Sequence, residues 1–127
     1  MGDTGGGVPP IHERGFAAEV SLADPVALTL RGNADSSTSD ALANLVHHLH
    51  RCVVEQRARA VLVDITQLEF MNAASLSVLV GWLLLVGELP VEARYVLRFR
   101  ANSKLLWQER SLHTLASVAS QLVERED

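Results

Sequence analysis

What this chain lacks narrows its chemistry first. It has one cysteine, Cys52, so neither a disulfide framework nor a Cys-x-x-Cys pair can form within it. A single cysteine fits a reducing compartment, and the expected location is the cytoplasm. Apolar runs are short. The longest covers residues 76–86 and is broken by Ser77 and Gly81, well below the roughly 20 residues that span a bilayer. Residues 1–10 are glycine-rich and polar, so no signal peptide and no membrane association are expected. A basic excess is missing too. Eleven Lys and Arg against fifteen Asp and Glu leave a formal charge of −4, the wrong sign for neutralising phosphates, and nucleic acid is not an expected partner.

Catalytic signatures are equally scarce. No serine sits in a Gly-x-Ser-x-Gly elbow. The glycines of residues 2–7 have no preceding strand and no following Gly-Lys-Ser/Thr, so they are not a phosphate loop. Cys52 falls within a helical pattern with no sign of an activating site. His47 and His50 lie one turn apart, yet no Cys, Asp or Glu joins them or His48 at zinc-like spacing. The three histidines read as a solvated helix face. Arg94, Arg98 and Arg100 form a small basic cluster that reads as a solvated edge. The residues call for no metal and no cofactor, and the chain is not expected to be an enzyme.

What is present suffices for one core. The 127 residues are 48% apolar and 20% charged, ordinary values for a single globular domain. Residues 1–12 are expected to be a flexible tail and residues 13–127 the domain. Residues 16–20 read as a short strand, residues 21–25 as a turn, and residues 26–31 as a strand with Val26, Leu28 and Leu30 on one face. So short a connection makes these two an antiparallel hairpin. Residues 36–40 offer several helix caps. Leu42, Leu45, Val46, Leu49 and Val53 then mark a helix running to about Gln56. The apolar run 60–65 predicts a central strand covered on both faces. A second helix runs from Ala73 to Gly87, and residues 94–100 alternate as a strand. Asn102 or Ser103 caps a third helix carrying Leu105, Leu106 and Trp107, and a fourth holds Leu112, Leu115 and Ala116. Residues 122–126 suit a helix end or an edge strand. The expected class is α/β: a single domain with a mixed sheet, in the order β-β-α-β-α-β-α-α, and helices packed on it.

The most informative stretch runs from Val63 to Leu76, from a buried strand into a helix start. Here the chain resembles the STAS domain family, which includes the bacterial anti-sigma-factor antagonists. Such domains commonly carry a strand ending in Asp, a loop with apolar-x-Phe, and an Asp-Ser-Ser/Thr-Gly-Leu motif opening a helix. Without gaps, Asp64 matches the strand-end Asp, and Leu68 and Phe70 match the loop. Asn72 matches the motif Asp, Ala73 and Ala74 match the two hydroxyl positions, Ser75 matches Gly, and Leu76 matches Leu. The order of elements agrees over residues 14–120.

The resemblance implies an interaction module in bacterial signalling that binds an anti-sigma factor, a serine kinase or copies of itself. In the family a hydroxyl in the helix's first turn is reversibly phosphorylated, and the phosphate changes the docking surface. Ala73 and Ala74 remove that acceptor here, while Asn72 can still cap the helix. Ser75 and Ser77 are the candidate displaced acceptors. A small-molecule or lipid sensor with a pocket near the same loop is the alternative. The start of the helix, Asn72, Ala73, Ala74 and Ser75, is therefore a candidate partner surface. Leu76, Leu79, Val80 and Leu83 form its expected sheet-facing stripe. Val78, Trp82, Leu85 and Leu89 form a second stripe, covered either by a neighbouring helix or by a partner. The family's use of this helix favours an interface, with Trp82 as anchor and a homodimer through Ala73–Gly87 as one form of it. An Asp at a strand end also occurs in receiver domains, but those open β-α-β, unlike the hairpin here.

Overall fold

The computed structural model describes residues 7–126. Six strands form one sheet: β1 (Ile11–Glu13), β2 (Phe16–Ser21), β3 (Val26–Ala34), β4 (Ala60–Met71), β5 (Val96–Arg100) and β6 (Val123–Glu126). They lie side by side in chain order. β1, β2 and β3 are antiparallel neighbours, and β3 to β6 run parallel. Three helices make the parallel connections: α1 (Ser39–Gln56), α2 (Ala73–Gly87) and α3 (Leu106–Val118). Parallel crossovers are right-handed, so a sheet that grows in one direction carries all its crossover helices on one face. Burial along the strands agrees. Val26, Leu28 and Leu30 of β3, Val61 and Val63 of β4, and Leu97 and Phe99 of β5 are buried, while their alternate neighbours are half-buried or exposed. β4 is thus covered by helices on one face only, and the expected second cover is not there. The apolar run read as two-sided burial because Ala60 and Leu62 lie on the half-buried face.

Part of the segment expected to be a tail is strand. Ile11–Glu13 pairs with β2, and Val8 and Ile11 are buried; residues 1–6 lie outside the described residues. Gly32 shows how closely this end is packed. Its φ is +89°, and a Cβ there would stand 2.1 Å from the carbonyl oxygen of Gly15, so only glycine fits.

β4 runs six residues beyond the expected end at Ile65. Its pairing with β3 steps from Thr29–Asp64 to Arg31–Gln67, and again from Gly32–Leu68 to Asn33–Phe70. Each step gives β4 one extra residue, a bulge. The first moves the buried positions from Val61, Val63 and Ile65 to Leu68. A period-2 pattern that changes phase halfway looks like a strand followed by a loop, which is why Asp64 falls in mid-strand and not at its end.

α3 is one helix where two were expected. Neither Asn102 nor Ser103 caps it; the cap position is Leu105, without a side-chain cap bond. The chain then closes on β6, an edge strand, which settles the open alternative for the last residues.

Candidate functional site

The helix start singled out in the sequence is built by β4 and α2 together. Asn72 follows β4 directly. Its amide donates to the Ala34 carbonyl of β3, and its side-chain oxygen accepts from the Ser75 amide at 2.9 Å. That is the helix cap its residue type suggested. Ala73 and Ala74 are exposed and Asn72 is half-buried. Phe70, the last large side chain before the helix, is 47% exposed. This end of the molecule therefore presents the methyl groups of Ala73 and Ala74 beside the aromatic ring of Phe70.

The two candidate acceptors differ sharply. Ser75 is fully buried and its Oγ has no partner among the described residues. No kinase could reach it without opening the α2 start. Ser77, two residues on, is exposed.

The second stripe of α2 is not the exposed surface that an interface reading required. Trp82 is fully buried, because α1 packs across it. Val78 and Leu85 are half-buried and line a groove of ≈ 330 Å³ between α1 and α2 together with Ala43, Val46 and His47. The buried stripe consists of Ser75, Leu79, Trp82, Leu83 and Val86. It is rotated from the expected set, leaving Leu76 and Val80 only half-buried. The large apolar side chain that α2 exposes is Leu84, at 56%. A helix this apolar throughout gives no orientation from its own pattern, so periodicity could not choose between the two stripes.

Trp82 belongs to a polar chain that crosses the core. Its Nε1–H donates to Tyr95 Oη at 2.8 Å, and Tyr95 Oη lies 2.6 Å from His50 Nδ1. With the tyrosine oxygen accepting from tryptophan, its proton points to histidine. His50 is then the neutral Nε2–H tautomer with Nδ1 as acceptor. Burial pushes the Tyr95 hydroxyl well above its ordinary value of 10.0. His50 is held below its ordinary 6.5, first by burial and then by His47, with Glu88 acting in the opposite sense. His50 thus leaves the solvated face expected for the three histidines and ties α1 to the start of β5. His47 Nδ1 instead meets the Ala43 carbonyl of its own helix. Cys52 is buried and its thiol is raised, chiefly by burial, the opposite of an activated nucleophile.

Sequence reasoning missed the brace that supports the site from behind. Two bulges free carbonyls of β4 from the ladder, and the α3 region collects them. Gln108, fully buried, donates to the Ile65 and Leu68 carbonyls at 2.7 and 2.9 Å. Its own oxygen accepts from the Asn102 amide at 2.7 Å. Asn102 donates to the Thr66 carbonyl, and Trp107 Nε1 to that of Glu69. Asp64 closes the first bulge by accepting from both the amide and the hydroxyl of Thr66. A glutamine inside an apolar helix pattern was the available signal, since a buried amide must find partners.

The basic cluster also divides. Arg98 pairs with Glu124, and Arg100 with Glu126 and Asp64. Arg94 instead donates to the Leu89 and Gly87 carbonyls at the end of α2. Among the described residues no helix is long and apolar enough to cross a membrane.

With this geometry in hand, likeness to known proteins is one of shape. An anti-sigma factor antagonist from Mycobacterium paratuberculosis superposes with a TM-score of 0.60, covering 86% of this chain and 85% of that one at 18% identity. No family model matches the chain, and no curated protein matches it by sequence. The mixed six-stranded sheet with three helices shares its fold with that structure over most of both chains.

Proposed function

We propose that this chain is a STAS-like protein–protein interaction module of bacterial signalling, an anti-sigma-factor-antagonist-like regulator or scaffold that lacks the usual phosphate switch. The carrying observation is the composition of the α2 start. Ala73 and Ala74 occupy the exposed first turn, capped by Asn72 and flanked by exposed Phe70, while Ser75 is buried beneath them. Partner docking on this reading uses Phe70, Asn72, Ala73 and Ala74, and the partner is a cytoplasmic anti-sigma factor or serine kinase. Val78 and Leu85 contribute only along the groove edge. Trp82 and Ser75 support the surface from within and do not touch the partner.

Two measurements test this. Titration calorimetry against the anti-sigma factors encoded in the same genome should find one that binds, and Ala74→Asp should weaken it at least about tenfold by burying an unpaired charge in the contact. If Ala74→Asp and Phe70→Ser leave every such affinity unchanged, the docking face lies elsewhere. Intact-mass spectrometry after incubation with a cognate serine kinase and ATP should show no added phosphate. A stoichiometric phosphate on Ser77 would replace the unswitched form with a displaced switch.

A further inference from the structure

The end of the molecule opposite the α2 start holds a pocket that the proposed docking face does not use. It lies where the chain enters β4 and β5, beneath the C-terminal ends of α1 and α2. Its volume is ≈ 560 Å³, and it is lined by Val54, Arg57, Ala58, Arg59, Glu92, Ala93 and Arg94. We propose that this pocket binds a small phosphorylated molecule, with Arg57, Arg59 and Arg94 on the phosphate and Val54, Ala58 and Ala93 against its apolar body.

Three observations carry this. The first is convergence: three guanidiniums from two segments, Arg57 and Arg59 in the connection from α1 to β4 and Arg94 just before β5, line one concavity with a single acid in a chain of net charge −4. The second is their freedom. Arg31, Arg98, Arg100 and Arg125 each face a carboxylate. Arg57 and Arg59 have no such partner among the described residues, although Glu92 lines the same pocket. Arg94 is fixed by the Leu89 and Gly87 carbonyls through its Nε–H and one Nη2–H. Its three remaining N–H groups stay available in a set orientation, the arrangement that suits bidentate contact with phosphate oxygens.

The third observation is the backbone at Arg57. The α1 helix ends in a paired-bond turn, with the Arg57 and Ala58 amides returning to the Val54 and Val53 carbonyls. This turn puts Arg57 at φ +58°. Glycine takes that conformation without steric cost and is the usual residue there. A long cation in its place is locally unfavourable, and residues held so cluster at binding sites.

The test uses the full chain and inorganic pyrophosphate at low ionic strength, followed by calorimetry and by amide and guanidinium NMR. Wild type should show saturable binding with shifts at residues 54–59 and 92–94. An Arg57→Gly/Arg59→Gln double variant should lose at least about tenfold in affinity. It should also keep or raise the melting temperature, since glycine relieves the turn. Arg14→Gln/Arg110→Gln removes the same charge outside the pocket and should leave binding unchanged. Absence of saturable binding by wild type, or equal weakening in the two double variants, overturns the proposal.

Discussion

At the residue scale the most consequential side chain is Gln108, because it joins the helix that no partner is expected to touch to the strand end that is. Its amide satisfies two β4 carbonyls and one loop amide, all in the interior. Gln108→Leu keeps most of the volume and removes all three bonds. Leaving buried groups unpaired costs about 1–3 kcal/mol apiece, and partial relaxation brings the expected loss to about 2–4 kcal/mol in a urea titration. The loss should also be local. Amides of residues 66–71 should exchange faster while those of β2 keep their protection, since these carbonyls belong to the bulged segment alone. Uniform acceleration across the sheet would mean that Gln108 acts as ordinary core. Because the braced segment carries Phe70 and leads into Asn72, the same variant should weaken partner binding without altering any docking residue.

At the scale of elements, α2 is where chemistry and pattern part. Trp82, the expected anchor of an interface, tests the packing through Trp82→Glu. The structure makes it a core substitution that buries a charge and removes the donor to Tyr95, so it should cost more than about 4 kcal/mol and leave little folded protein at 37 °C. Leu84→Glu is the matching surface probe. It should change stability by less than about 0.5 kcal/mol, and any self-association through α2 should disappear with it in sedimentation velocity. A folded, monodisperse Trp82→Glu protein would refute the packing described. The contrast marks what was legible. The hairpin, the α1 stripe, the start and end of α2 and the cap at Asn72 follow from periodicity and cap chemistry, which are local. The length of β4, the single α3 and the buried face of α2 do not. They depend on bulges that shift side-chain phase, on Gln108 joining α3 to the strand, and on α1 lying over a helix that is apolar on every side. The strand ends β1 and β6 are three and four residues long, too short for a pattern to declare itself.

At the scale of the whole molecule, the His50–Tyr95–Trp82 chain links α1, β5 and α2, so its protonation bears on the stability of the entire fold. His50 is held below 6.5 in the folded chain. Well above pH 6.5 it is neutral whether folded or not and contributes no pH dependence. As pH falls through 6.5 the unfolded chain takes a proton that the folded one refuses, and stability declines. Tyr95 behaves inversely. Its folded value lies far above 10.0, so its contribution is complete below pH 10 and is lost above it, where the unfolded chain releases a proton first. The groups facing His50 are His47, Glu88 and Tyr95, and Glu88 opposes the acid-side effect without reversing it. Urea midpoints should therefore be level between about pH 7.5 and 8.5 and fall on either side. Tyr95 is the only tyrosine, so Tyr95→Phe should reduce the alkaline fall, with Cys52→Ala removing the smaller share of a thiol also raised by burial. His50→Gln, whose side-chain oxygen can still accept from the tyrosine, should flatten the decline just below pH 6.5. Carboxylates held low by their partners, such as Glu109 beside Arg125, take over only near pH 4. A profile in which His50→Gln falls as steeply as wild type between pH 6.5 and 5 would show that the chain of hydrogen bonds does not set the acid limb.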